Sequence, residues 1–149
     1  MPNNPDFDTS ILNIADDFYE AYLRCLEGKN PSVDEFNRTR YETANVPAIV
    51  NGAFAIELYI KSRLDKKTEG HNLRFLFNKL DKELKDSIRN EIESKIDNRL
   101  TSFNKLFKTI ANAFEYWRYI HEKKGLGYGL NITLNNLSIV IETIRKFLR

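Results

Sequence analysis

Apolar residues along this chain recur at steps of three and four, the period of an α-helix, and no stretch alternates as a half-buried strand would. The first run predicts a helix from about Thr9 to Leu26, with Ile11, Ile14, Phe18, Tyr22 and Cys25 on one face. Asp8, Thr9 and Ser10 offer side-chain oxygens to the unpaired amides of its first turn, and Gly28 is placed to stop it. A polar connector, KNPSVDEFNRTRYETAN, separates it from the next run.

That run, NVPAIVNGAFAIELYIKSRLDKK, begins with Asn45 as a cap and Pro47 in the first turn, where a missing amide costs nothing. From Val46 to Ile60 it is apolar nearly all round, which predicts a central helix packed on several sides. Gly52 and Ala53 would let a neighbour approach closely, and Glu57 is the one charged residue in the middle of the apolar stretch. In TEGHNLRFLFNKL, Gly70 ends one element and His71 or Asn72 caps a short helix that seeks cover for Leu73, Phe75, Leu76, Phe77 and Leu80. We expect His71 to serve as that cap.

A narrow stripe follows, with Leu84, Ile88, Ile92, Ile96 and Leu100 four apart among charged residues, as on an outer helix exposed around most of its circumference. From about Ser102 to Lys124, Phe103, Phe107, Ile110, Phe114 and Trp117 alternate steps of four and three, the seam of a helix bundle. Gly125, in GLGYGLN, stands where a C-terminal cap belongs. A last helix, roughly Ile132 to Leu148, turns Leu134, Leu137, Ile141, Ile144 and Leu148 inward. The pattern predicts an all-α fold over residues 1–149: one domain, four long helices around a single core, with a short and an outer helix inserted and residues 1–8 a flexible start.

Composition narrows the functional classes. Hydrophobic residues make up 42% and charged residues 30% of the 149, ordinary values for a packed globular domain. With 23 basic and 21 acidic residues, the formal charge of +2 supplies no overall field that would demand nucleic acid or a membrane. The lone Cys25 cannot form an internal disulfide, and with two histidines it builds no zinc site of the usual spacing. The start, MPNNPDFDTS, is unlike a signal peptide, and no run reaches the ~20 apolar residues of a membrane span. These features predict a cytoplasmic protein without metal or cofactor.

Candidate chemistry concentrates in FEYWRYIHE, on the penultimate helix. At about 100° per residue, Trp117 and His121 continue its buried stripe while Arg118 lies on the flank. Glu115 and Glu122 stand three and four residues from Arg118, the spacing of ion pairs along one face. Arg118 and His121 together would hold a phosphate and exchange a proton, which suits metal-free RNA cleavage through the ribose 2′-hydroxyl. The alternative, which we favour, is that both belong to a polar network inside the bundle. Glu57 requires a partner in that case, because an unpaired buried carboxylate costs several kcal/mol. Lys61, one turn on, is the local candidate and Arg118 the distant one; a Glu57–Arg118 bridge would explain both residues without catalysis. GLGYGL lacks the lysine and hydroxyl of a phosphate loop and reads as a connector.

The order of AIELYIKSRL, then GHNLRFLFNKL, then AFEYWRYIHE resembles the HEPN superfamily of small helical domains, over roughly Val46 to Glu122. The resemblance implies a helical bundle, frequent homodimers, and roles in toxin–antitoxin, phage-defence and RNA-processing systems. It also implies, for some members, a small nucleotidyltransferase as partner. Its active members are metal-independent ribonucleases with an arginine and a histidine separated by four to six residues on a late helix. Here two residues separate Arg118 from His121, and counting five onward from Arg118 gives Lys123, not histidine. The expectation is therefore a non-catalytic, dimeric binding or regulatory module acting on a partner protein, RNA or nucleotide, with no membrane. Its binding or buried polar network would comprise Glu57, Lys61, Arg118, His121 and Glu122. The alternatives are a ribonuclease using Arg118 and His121, and a stand-alone interaction protein. Tyr116 and Tyr119, turned away from the seam, or the less apolar face of the last helix would form the dimer surface.

Overall fold

The computed structural model describes residues 9–27, 32–33, 39–40, 45–65, 68–118 and 134–149, the side chains of 32–33, 39–40, 45–46 and 113–118 excepted. Among these residues the chain forms six helices: α1 (Thr9–Leu26), α2 (Asn45–Lys61), α3 (Leu73–Asn78), α4 (Lys82–Lys95), α5 (Phe103–Arg118) and α6 (Leu134–Leu148). The connector between α1 and α2 also carries a two-residue antiparallel pairing of β1 (Ser32–Val33) with β2 (Thr39–Arg40), Ser32 opposite Arg40. Two residues per strand are too few to leave an alternating pattern, so the sequence read this segment as plain connector.

Helix α2 sits at the centre because its sequence leaves it no polar face. Ala48, Ile49, Ala53, Ala55, Ile56, Tyr59 and Ile60 are all buried, and α2 packs on α1, α3, α5 and α6. Its closest neighbours meet it at Gly52: a Cβ there would stand 3.2 Å from Tyr22 Cδ2 and 3.4 Å from Leu137 Cδ2. A missing side chain on α2 thus lets α1 and α6 converge on one spot. Phe18 of α1 stacks on Phe54 of α2 with ring centroids 5.1 Å apart. At the other end Phe77, Phe103 and Phe107 form a ring cluster joining α3 to α5, with centroids 5.0 to 5.4 Å apart. Such pairs are worth about 0.5–1.5 kcal/mol each beyond the area they bury.

Three apolar stripes differ from the expected ones. In α1 the buried positions are Leu12, Ala15, Tyr19 and Tyr22, and Ile14 is 48% exposed. Tyr22 is inward as expected, and the face is rotated towards Tyr19, which buries its ring and finds a hydroxyl partner in Glu142 on α6. Phe75 points outward and Leu100 lies beyond the end of α4, while Leu73, Leu76, Phe77, Leu80, Ile88, Ile92 and Ile96 are buried as the pattern requires. Asn72, rather than His71, caps α3: its side chain accepts from the Phe75 amide at 3.1 Å. Gly70 just before it adopts φ +103°, a conformation that a side chain would strain, and this turn leaves His71 free for another role.

Candidate functional site

Glu57 is 3% exposed, the most deeply enclosed charged residue among those described. Its backbone position follows from the helical register of α2: Ala53, Ile56 and Ile60 around it are core residues, so the side chain leaves a wholly apolar stretch. The carboxylate is met from two directions. His71 reaches across from the segment before α3 and donates from Nδ1 to Glu57 Oε1 at 2.7 Å. Lys61, one helical turn on, brings Nζ to 3.9 Å of the same oxygen. Burying the carboxylate removes its water, and the imidazole N–H supplies a charge-assisted bond in its place.

His71 itself is 57% exposed, so the pair spans from core to surface. Because the carboxylate must accept, the proton of the contact sits on Nδ1, and Nε2 is the ring nitrogen left for exchange. A carboxylate that orients an imidazole in this way also occurs in acid–base catalysis. Among the described residues no second partner engages the His71 ring. The cluster is therefore a joint between α2 and α3 whose outer edge offers one nitrogen to solvent.

Of the residues singled out from the sequence, the structure brings Glu57 and Lys61 together as expected and adds His71 to them. Arg118 closes α5, but its side chain, His121, Glu122, Tyr119 and the GLGYGL segment lie outside the described residues, as do the side chains of Glu115, Tyr116 and Trp117. The expected Glu57–Arg118 bridge thus lies outside the described contacts, and among the described residues His71 and Lys61 both meet Oε1.

A second polar network, not anticipated from the sequence, ties α1 and α2 to α6. Tyr59 of α2 is buried and donates to Asp16 Oδ1 of α1 at 2.5 Å. Arg149 Nε donates to Asp16 Oδ2 at 2.7 Å, while Arg145 Nε donates to Tyr59 Oη at 3.2 Å and lies 3.7 Å from Asp16 Oδ1. The Arg145 guanidinium also covers the Tyr19 ring, 4.6 Å from its centroid. Tyr19 donates to Glu142, and the Tyr22 hydroxyl shares a hydrogen bond with Ser138. Arg63 Nε closes the set on the Leu148 carbonyl at 2.9 Å.

Electrostatics at this network follows from burial and partners. Burial pushes the Tyr19 phenol from 10.0 up to about 12, with Glu142 adding to the shift, and burial together with Asp16 raises Tyr59 as well. Burial alone would raise the Asp16 carboxyl, but hydrogen bonds from Tyr59 and Arg149 and the charges of Arg149 and Arg145 hold it below its ordinary value. Protonated phenols and an ionised carboxylate are thus the stable forms of a structural clamp at neutral pH.

Among the described residues no three His, Cys, Asp or Glu side chains gather closely enough to hold a metal ion, and no helix is long and apolar enough to cross a membrane. Comparisons with protein-family models, curated proteins and solved structures returned no match to this chain.

Proposed function

We propose that this chain is a non-catalytic, HEPN-like four-helix-bundle module that works as a cytoplasmic homodimer and binds a partner protein, RNA or a nucleotide, in a toxin–antitoxin or phage-defence setting. The observation that carries this reading is the fate of Glu57. The one carboxylate enclosed in the central helix is neutralised inside the chain, by His71 and Lys61, and so serves as an anchor between α2 and α3. The order of the six helices is compatible with the resemblance, and the short spacing of Arg118 and His121 argues against the family's cleavage chemistry.

One observation supports a second reading, a metal-independent ribonuclease: His71 is half-exposed and oriented by a buried carboxylate, an arrangement able to move a proton. The two readings separate in one assay. Transfer RNA incubated with the protein in EDTA is expected to remain intact. Cleavage that disappears in His71→Ala or His121→Ala, with melting unchanged, would replace the binding module by the nuclease. Sedimentation at tens of micromolar tests the dimer, and a monomer there would remove that part of the proposal.

A further inference from the structure

A small recess between α3, α4 and α5 combines core phenylalanines with two arginines and two asparagines. It is lined by Arg74, Phe77 and Asn78 of α3, Arg89 of α4, and Phe103, Asn104 and Phe107 of α5, opens to solvent, and has a volume of about 50 Å³. The three phenylalanines are the ring cluster that joins α3 to α5, so the floor is rigid and apolar. Two guanidiniums and two amides stand around it. Among the described residues neither arginine forms an ion pair with a carboxylate, and the Arg89 guanidinium lies over the Phe103 ring, 5.2 Å from its centroid. Arg89 Nε is buried with no hydrogen-bond acceptor. Phe103 and Asn104 belong to the first turn of α5, whose amide ends add a positive potential at the same place.

An anionic occupant would account for these observations together. Bringing two guanidiniums to one recess without a counter-charge is unfavourable, and folding alone gives no reason to arrange it. We propose that this recess binds a compact phosphate-type oxyanion. Arg74 and Arg89 provide the charge, Asn78 and Asn104 the neutral donors, and the first turn of α5 the dipole. Size sets the ligand class. A water requires about 10–15 Å³ on the same measure, so the recess has room for roughly three to five water-sized atoms, enough for one oxyanion head group. Two cations with additional amide donors suit a tetrahedral dianion better than a carboxylate. The anion comes either as free phosphate or as the phosphate end of a small monoester whose remainder stays outside. This site shares no residue with Glu57, Lys61 or His71, so its test is independent of the function proposed above.

The test is calorimetric titration of the full chain near neutral pH and constant ionic strength, with inorganic phosphate in one arm and glycerol 3-phosphate in the other, and sodium chloride as the blank. Saturable one-to-one binding at low millimolar concentration is expected. Arg74→Gln and Arg89→Gln should each weaken it by about ten-fold, and Lys108→Gln, on the same helix as Asn104 but outside the recess, should leave it unchanged. The arm that binds more tightly identifies the source of the phosphate. Arg89 packs on Phe103, so its variant is also checked by thermal melting; Arg74 is exposed and its variant tests the site without risk to the fold. Absence of saturable binding in both arms, or binding that Arg74→Gln leaves intact, overturns the proposal.

Discussion

The joint between Glu57 and His71 is best tested by removing each side of it and then both. His71→Ala takes away the 2.7 Å contact and leaves a carboxylate that is 3% exposed with Lys61 Nζ at 3.9 Å. A hydrogen bond to a charged group is worth about 1.5–3 kcal/mol net. Because His71 is 57% exposed, water can enter the space it vacates and rehydrate one carboxylate oxygen, which places the loss at the lower end, about 1–2 kcal/mol. For a domain of this size each kcal/mol moves the melting temperature by about 2–4 °C, so Tm should fall by roughly 2–8 °C. Glu57→Gln keeps the shape and an acceptor for Nδ1–H but gives up the charge, at about 1 kcal/mol.

The double variant carries the decision. If the two side chains stabilise one another, His71→Ala costs much less once Glu57 is already glutamine, and urea titrations should show coupling of at least about 0.5 kcal/mol. Strict additivity would refute the reasoning. So would a His71→Ala variant as stable as the parent, because Glu57 would then be neutralised by something other than His71 and the anchor between α2 and α3 would not exist.

Three further outcomes follow from the same contacts. Asp16 is held below its ordinary value, so its contribution to stability is complete above the unfolded carboxylate value of 3.8 and is lost as pH falls through the lower folded value. Urea midpoints measured down an acid series should therefore drop less steeply in Arg149→Ala, which has less of this term to lose. Tyr19 is shifted the opposite way, from 10.0 to about 12, so its contribution is complete below pH 10 and declines as pH rises towards 12, by at most about 2–3 kcal/mol; phenolate absorbance should show Tyr19→Phe losing a late-titrating group, and its alkaline unfolding should be shallower. Gly52→Val puts branched bulk where even a Cβ stands 3.2 Å from Tyr22, so it should cost about 1–3 kcal/mol by denaturant titration.

How much of this was legible beforehand depended on the range of the interaction. The span of α1, the all-apolar course of α2 and the charged flanks of α4 are set by residues within a turn or two, so periodicity exposed them. Lys61 was readable as a partner for Glu57 for the same reason. Tyr59 meets Arg145, and Asp16 meets Arg149, across most of the chain length, and no local pattern encodes such pairings. On α1 the pattern places Tyr22 inward, as the structure does, but it misses Tyr19, which counts as amphipathic until Glu142 is known to satisfy its hydroxyl. His71 was assigned to the wrong task because Asn72, beside it, is the better cap.

Set side by side, the polar groups of this bundle divide into two kinds, and the division separates architecture from function. Glu57, Asp16, Tyr19, Tyr22 and Tyr59 are each enclosed or half-enclosed, and each has a partner on another element of the chain. A folded domain is expected to close its polar contacts in this way, since each one left open costs stability. Arg89 departs from that rule: its Nε is buried without an acceptor among the described residues, in a recess with an aromatic floor that it shares with the exposed Arg74. If stability alone had shaped the molecule, an acidic residue on α3, α4 or α5 would have been the simplest remedy, and those helices carry several that lie elsewhere, Glu83, Asp86 and Glu93 among them. A buried guanidinium N–H without an acceptor, beside a second guanidinium, is the physical reason to look for a ligand at that face.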